Sequence, residues 1–211
     1  KGDDGFGVCK NEFPYDADPS LCYSIFKSYK LDGGHLIKIQ SSFDGLIKSG
    51  LGSSGSFSVA LIAALARALN KDLTREEIAK SAYEEEVEKL GWHGGKQDQW
   101  ASVYGGINLI TIDKEVTINT FKRDYVDFLL SHLVLVYVGG QRESYKIQKG
   151  LKDLTGKIDT LLKIKNIAQE SLGFFTHENY KGIGQALAET WELKKKTNPN
   201  VSDSRIDKIY S

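Results

Sequence analysis

A loop of small residues runs directly into an apolar helix in the first third of the chain. Residues 49–56 read Ser-Gly-Leu-Gly-Ser-Ser-Gly-Ser, and residues 57–69 are almost entirely apolar and rich in alanine. The first amides of a helix have no partner within the helix, and the helix dipole makes that end positive. The pattern therefore predicts an anion site, most often one for phosphate. A serine-capped core helix is the simpler interpretation, but it needs one hydroxyl and no glycines.

Three phosphate-binding chemistries use such loops, and the flanking residues distinguish them. Gly50, Gly52 and Gly55 have the spacing of a dinucleotide-binding fingerprint. That fold requires a buried strand before the glycines, whereas residues 43–48 are too short and mixed for one, and residues 70–73 lead into a second helix. A Walker A loop ends in Gly-Lys-Ser/Thr, where this chain has Gly-Ser-Phe. A protein-kinase glycine loop is followed by a strand with a lysine, whereas a helix follows here.

The loop instead resembles the central phosphate motif of the GHMP small-molecule kinases, which include galactokinase, homoserine kinase and mevalonate kinase. A second block, residues 95–108 (GKQDQWASVYGGIN), is similar to the sugar-kinase branch, above all to the D-glycero-D-manno-heptose 7-phosphate kinases and their fucokinase-like relatives. Similar sequence continues at residues 137–142 and 191–195. The resemblance therefore extends over residues 18–211 in the order of the family.

The resemblance implies an α+β fold with two domains. Residues 1–138 would form the N-terminal ATP and substrate domain, with a mixed sheet and the phosphate-loop helix, and residues 139–211 a mainly helical part of the C-terminal domain. The implied activity is phosphorylation of a hydroxyl of a sugar or sugar phosphate with ATP and Mg²⁺, with heptose 7-phosphate as the first candidate. The alternatives are a non-catalytic sugar- or nucleotide-binding regulator on a galactokinase-like body and, more remotely, a dinucleotide-binding oxidoreductase.

Residues 83–88 carry an acidic run on a helix that a capping box at Thr74 opens and that we expect to reach Leu90. On a period of 3.6 residues, Glu86 is the one acidic side chain of this run on the inward stripe. A buried carboxylate needs a cation. A salt bridge with Lys96 or Arg67 would supply it. The resemblance implies instead that Glu86 binds Mg²⁺ together with the hydroxyl of Ser54.

Asp98 lies twelve residues after Glu86, which is the spacing of the family. Phosphoryl transfer to an alcohol needs a carboxylate that orients the hydroxyl or accepts its proton, with a cation beside it. On the residues alone, the simpler role for Asp98 is to cap a short helix over residues 99–102. The resemblance implies that Asp98 and Lys96 are catalytic and that Asp98 also contacts the substrate.

The resemblance also implies a substrate contact for Arg142, and a salt bridge of Arg142 with Glu143 or Asp127 is an equal alternative. His93 is a candidate substrate contact from its position in the loop before Gly94, and an exposed loop position without a role is the simpler alternative. The phosphates of ATP would lie against Gly50, Gly52, Ser53, Ser54, Gly55 and Ser56.

Composition indicates a small partner. The sequence has 28 basic and 28 acidic residues, so bulk charge favours neither a nucleic-acid nor a membrane-surface role. Cys9 and Cys22 are too few for a disulfide scaffold, and no apolar run is long enough to span a bilayer. We therefore expect a protein of the reducing cytoplasm whose partners are ATP and a sugar or sugar phosphate. The sequence leaves open whether the protein forms a homo-oligomer.

The ends of the sequence suggest a fragment. The 211 residues contain no methionine, and the chain begins at Lys1. The substrate motif that the family places near its N-terminus is not visible before Lys1, and the third, glycine-rich motif is expected beyond Ser211. Because that motif completes the phosphate and substrate site, we expect the polypeptide as printed to be inactive by itself.

Local patterns predict the remaining elements. A proline in the first turn starts a helix at residues 18–20, with Leu21, Ile25 and Phe26 inward. Alternation predicts a strand over residues 35–40, and two further strands are expected over residues 107–112 and 116–121. The continuous apolar run of residues 133–138 predicts a fully buried strand, and the chain is expected to be helical from Gln141 onward.

Overall fold

The structure is a computed structural model, and it describes residues 19–31, 39, 50–139 and 155–210. Contacts within the chain divide it into two compact units, Lys1–Gly105 and Gly106–Ser211. The domain boundary expected between residues 138 and 139, where the sequence becomes mainly helical, stays a prediction. The strand expected over residues 35–40 falls outside the described residues, apart from Ile39.

The regular elements in the described residues of the first unit are all helical. Its elements are α1 (Pro19–Ser28), α2 (Ser53–Ala68), α3 (Arg75–Tyr83), a π-helical segment (Glu84–Lys89) and α4 (Gln97–Tyr104). The prediction for α1 is confirmed, because Leu21, Ile25 and Phe26 are buried. The core joins α1, α2 and the end of α3 through the buried residues Leu21, Cys22, Ile25, Phe26, Val59, Leu61, Ile62, Leu65 and Ala82.

The acidic helix begins as the sequence predicts. Thr74 is its N-cap residue: the Thr74 hydroxyl accepts a hydrogen bond from the Glu77 amide at 3.2 Å, and the Glu77 carboxylate accepts one from the Thr74 amide at 2.7 Å. This reciprocal pair satisfies two amides that a helix start would otherwise leave without a partner. The predicted capping box is therefore confirmed.

The end of this helix differs from the expectation. Residues 84–89 form a π-helical turn, in which the Leu90 amide donates to the Glu85 carbonyl oxygen at 3.2 Å. A π-helical turn contains one residue more than an α-helical turn, so the buried stripe shifts along the sequence. Glu85 and Glu86 are both buried, with 3% and 7% of their surface exposed. The prediction that Glu86 alone faces inward is therefore wrong, although its own burial is confirmed.

The second unit combines a hairpin with helices. Strands β1 (Asn108–Ile112) and β2 (Val116–Thr120) pair antiparallel, with Asn108 opposite Thr120 and Ile112 opposite Val116. The two predicted strands are confirmed to within a residue at either end. The helices that follow are α5 (Arg123–His132), α6 (Ile158–Thr176), α7 (Tyr180–Thr197) and α8 (Ser204–Tyr210), with a 3₁₀ turn at Pro199–Val201. None of the helices in the described residues is long and apolar enough to cross a membrane.

The apolar run after α5 is not a buried strand. Residues 133–138 have no regular secondary structure, and Val134 and Leu135 are 85% and 80% exposed. The prediction of a buried strand is therefore wrong for this structure. An apolar run indicates that a segment can be buried, but full burial of a strand requires elements on both of its faces. In the described part of this unit the sheet consists of β1 and β2, and residues 133–138 do not join it.

Replacing Thr74 with alanine tests the capping box. The change removes the acceptor of the Glu77 amide and should lower the free energy of unfolding by about 1 kcal/mol. Thr74→Ser keeps the hydroxyl and should remain near wild type. Urea unfolding measures both variants, and equal stability of the alanine and serine variants would contradict a stabilising cap.

Candidate active site

The start of α2 has no side-chain cap. Gly52 is the N-cap residue, with left-handed backbone angles (φ 71°, ψ 28°), and no side chain in the described ranges accepts a hydrogen bond from the first amides of the helix. The Ser56 amide closes the first turn by donating to the Gly52 carbonyl oxygen at 3.0 Å. The interpretation as a serine-capped core helix is therefore wrong. The amides of residues 53–55 form an open, positive helix start, which is the geometry that binds anions.

The serines of the loop contribute in different ways. The Ser56 hydroxyl donates to the Gly52 and Ser53 carbonyl oxygens at 3.0 and 3.2 Å, so it is directed back at its own helix. The Ser54 hydroxyl instead donates across to the Glu86 carboxylate at 3.4 Å. Gly50 is exposed and has φ 86°, a conformation that favours glycine. Ser54 is therefore the loop hydroxyl that is directed towards an acidic group.

Two glycines of the loop allow Asp98 to approach. A Cβ built at Gly52 would lie 3.6 Å from Asp98 Cγ, and one built at Gly55 would lie 3.0 Å from Asp98 Cβ. Any side chain at Gly55 would therefore push α4 away from α2. Asp98 is the second residue of α4, whose N-cap residue is Lys96. Asp98 is thus not the helix cap, and its exposed carboxylate lies beside the open end of α2.

Glu86 is held by side chains from two helices. Ser54 and Ser58 of α2 both donate to its carboxylate, and the Gln99 amide of α4 forms a further hydrogen bond with it. The alternative of a salt bridge with Lys96 or Arg67 is not formed in the part of the chain that the structure describes. The Lys96 ammonium lies over the Tyr83 ring instead, 5.4 Å from its centroid.

The electrostatic surroundings of Glu86 favour its neutral form. Burial raises the pKa of Glu86 above its ordinary value, and the negative charge of Asp98 adds to the increase. Hydrogen bonds from Ser58, Gln99 and Ser54 oppose the shift without cancelling it. Ionised Glu86 has no compensating positive charge among the described residues, and it lies beside the open start of α2.

The neighbouring glutamate, Glu85, has a basic partner and lies against α1. The Lys89 ammonium lies 2.6 Å from one Glu85 carboxylate oxygen, and the Ser24 hydroxyl of α1 donates to the other at 2.5 Å. Burial raises the pKa of Glu85, but hydrogen bonds from Lys89, Ser24 and Ser28 outweigh it, and the pKa lies below its ordinary value. Glu85 therefore remains charged and fastens the π-helical segment to α1.

Two further residues were predicted for the site, His93 and Arg142. His93 is half-buried in the loop between the π-helical segment and α4, and Arg142 lies outside the described residues. The sequence analysis missed Ser58 and Gln99. Ser58 follows Ser54 by four residues and so lies on the same helix face, a spacing from which it could have been found.

Comparison with known proteins identifies the first unit. Residues 20–106 match the family described as the GHMP kinases N terminal domain, so this segment is a GHMP kinase N-terminal domain. The family predicted from the phosphate loop and the second block is thereby confirmed.

Individual relatives agree with this assignment. A D-glycero-alpha-D-manno-heptose 7-phosphate kinase of Campylobacter jejuni is 33% identical over 169 residues, which cover 77% of this chain and 50% of that protein. A mevalonate kinase of Methanothermobacter thermautotrophicus is 34% identical over 145 residues, 66% of this chain and 45% of that protein. The chain thus spans about half the length of the curated relatives it matches.

A solved structure confirms the fold class. The crystal structure of a D-glycero-D-manno-heptose 1-phosphate kinase from Bacteriodes thetaiotaomicron superposes with a TM-score of 0.65 at 27% identity, over 88% of this chain and 57% of that one. The α+β fold of the GHMP kinases, which the sequence implied, is therefore the fold of this chain.

The burial of Glu86 predicts a pH-dependent stability in the absence of metal. Because the folded-state pKa of Glu86 is raised, the native state binds its proton more tightly than the unfolded chain does. Ionisation of Glu86 therefore lowers stability as the pH rises. Glu86→Gln should raise the melting temperature at neutral pH. The gain in melting temperature should vanish below pH 4.5, the ordinary pKa of a glutamate, and be complete at pH values above the folded-state pKa of Glu86.

Thermal unfolding against pH in the presence of a chelator measures this gain. Glu88→Gln is the matched control, because Glu88 lies on the same π-helical segment and is exposed. It should show no comparable gain. A Glu86→Gln protein that is less stable than wild type at neutral pH would show that the carboxylate charge is already compensated.

Proposed function

We propose that the protein is a kinase that uses ATP and Mg²⁺ to phosphorylate a hydroxyl of a sugar or sugar phosphate, with a heptose 7-phosphate as the first substrate to test. The relatives named heptose phosphate kinases and mevalonate kinase support phosphoryl transfer to an alcohol. The proposed compartment is the cytoplasm.

One observation carries the proposal. Two carboxylates from different segments, Glu86 and Asp98, converge on the open start of α2, where amides without a side-chain cap face outward. A triphosphate on these amides would place its reacting end between the two acids. Phosphoryl transfer depends chiefly on positioning and on compensation of charge, and this arrangement supplies anion donors and metal-binding oxygens together.

The residues fit a magnesium nucleotide. In the described part of the chain no three His, Cys, Asp or Glu side chains form a complete metal cage. Mg²⁺ usually binds through one or two carboxylates, with phosphate oxygens and waters completing its shell. Glu86, which lacks a basic partner among the described residues, and the Ser54 hydroxyl would hold the ion, and the ion would neutralise phosphate charge. The amides of Gly52 to Ser56 would bind the phosphates.

Asp98 and Lys96 would act on the acceptor. The Asp98 carboxylate would orient the sugar hydroxyl and accept its proton, while Lys96, at the N-cap of α4, would supply positive charge nearby. His93 and Arg142 are the proposed substrate contacts, and His93 lies in the loop that leads to Lys96.

Alanine at Gly52 tests the phosphate loop. The side chain would strain a residue with φ 71° and would lie 3.6 Å from Asp98 Cγ, so ATP affinity should fall by about tenfold or more, equivalent to about 1.4 kcal/mol. Gly91→Ala is the control, because Gly91 has φ 68° with nothing within 4 Å of the added carbon. Calorimetric titration measures both variants. Equal ATP affinity in the two would remove Gly52 from the phosphate site.

Asparagine at Asp98 tests the catalytic carboxylate. Turnover should fall by about a hundredfold or more, because the amide cannot accept the proton, while nucleotide affinity should stay near wild type. Asp159→Asn is the matched control, since Asp159 is likewise the exposed second residue of a helix but lies in the other unit. A coupled assay of ADP release from the full-length protein over heptoses, hexoses and their phosphates provides the measurement.

The same assay separates the enzyme from a regulator. An Asp98→Asn protein that phosphorylates its sugar at the normal rate would contradict the catalytic role. Wild-type protein that binds ATP and sugar but releases no ADP with any of these acceptors would favour the non-catalytic regulator.

A further inference from the structure

The two oxygens of the Glu86 carboxylate have different partners. Oε1 accepts from Ser58, whose side chain is completely buried. Oε2 accepts from Ser54 at 3.4 Å, which is near the limit for a hydrogen bond. Oε1, the inner oxygen, is therefore anchored to the body of α2. Oε2, the outer oxygen, lies on the side of the phosphate loop and accepts only a weak hydrogen bond there.

Gln99 adds a second anchor from a different helix. It is 3% exposed, and its amide hydrogen-bonds the Glu86 carboxylate. Its own side-chain oxygen has no hydrogen-bond partner among the described residues. The nitrogen of the amide is therefore the group that donates to Glu86. A buried amide oxygen without a partner is destabilising, so a residue required only for packing at this position would be better apolar.

We propose that Ser58 and Gln99 are positioning residues, which fix the rotation of the Glu86 carboxylate so that its outer oxygen faces Ser54 and the ligands bound there. The inference rests on the proposed function, because the ligand in question is the metal of the nucleotide complex. Neither residue touches that metal in this arrangement. Each acts through Glu86, as residues behind metal ligands commonly do.

The anchors come from the two helices that form the site. Ser58 lies one turn beyond Ser54 on α2, and Gln99 adjoins Asp98 on α4. A single hydrogen bond would leave the carboxylate free to rotate about its last torsion, whose preferences are broad. Two donors on separate helices remove that freedom. The position of Glu86 is thereby tied to the packing that also places Asp98.

Metal affinity in the nucleotide complex provides the test. Mn²⁺ binding to the ATP complex of the full-length protein is measured by electron paramagnetic resonance, and ATP affinity without metal by calorimetry. Ser58→Ala and Gln99→Met each remove one donor and should weaken Mn²⁺ binding by about tenfold or more, leaving metal-free ATP affinity unchanged. Gln99→Met keeps a side chain of similar length, so it serves if Ser58→Ala fails to fold.

Ser171→Ala is the matched control. Its hydroxyl lies within hydrogen-bond distance of the carbonyl oxygen four residues earlier, as that of Ser58 does, but it has no carboxylate partner among the described residues and lies in α6 of the other unit. It should leave Mn²⁺ affinity unchanged. Melting temperatures of all variants separate a loss of packing from a loss of metal binding.

A double-mutant cycle decides whether Ser58 acts through Glu86. In a Glu86→Gln background, Ser58→Ala should cause no further loss of Mn²⁺ affinity. An equal loss in both backgrounds, or no loss in the single variants while Glu86→Gln itself binds weakly, would overturn the inference. Unchanged Mn²⁺ affinity in Glu86→Gln would instead contradict the metal site of the proposed function.

Discussion

The close contact between α2 and α4 is the constraint on which the arrangement of the first unit depends. At Gly55 the helices approach so closely that an added Cβ would lie 3.0 Å from the Asp98 side chain. This approach places Asp98 beside the uncapped start of α2 and brings Gln99 to the carboxylate that Ser58 holds. A larger residue at one position would therefore disturb the anion donors, the proposed catalytic acid and the proposed metal ligand together.

The π-helical turn gives two adjacent glutamates opposite environments. Glu85 faces α1, where Lys89 and two serines keep it charged, and Glu86 faces α2, where burial favours its neutral form. In a regular α-helix adjacent side chains diverge by about 100°, so one of a pair usually faces solvent. The wider turn buries both. The ion pair with Lys89 offsets the cost of burying the charge of Glu85, whereas Glu86 has no basic partner among the described residues.

Much of the local structure was predictable because it depends on neighbours in sequence. The capping box at Thr74, the start of α2 at the glycine loop and the hairpin of residues 108–120 follow from short-range patterns, and all three are confirmed. The buried strand over residues 133–138 was not, because an apolar run cannot specify its neighbours. Glu85 was misplaced because the prediction assumed an α-helical period through a turn that is π-helical.

By itself, the sequence determined the family, through its resemblance over residues 18–211, and it predicted a phosphate loop and two acids for the site. The tertiary structure decided which groups meet. The approach of Asp98 to Gly52, the absence of a basic partner for Glu86 within the described residues, and the roles of Ser58 and Gln99 all depend on contacts between helices distant in sequence. Periodicity indicates which face of a helix is buried. Side-chain packing alone decides which donor, charge or backbone that face contacts.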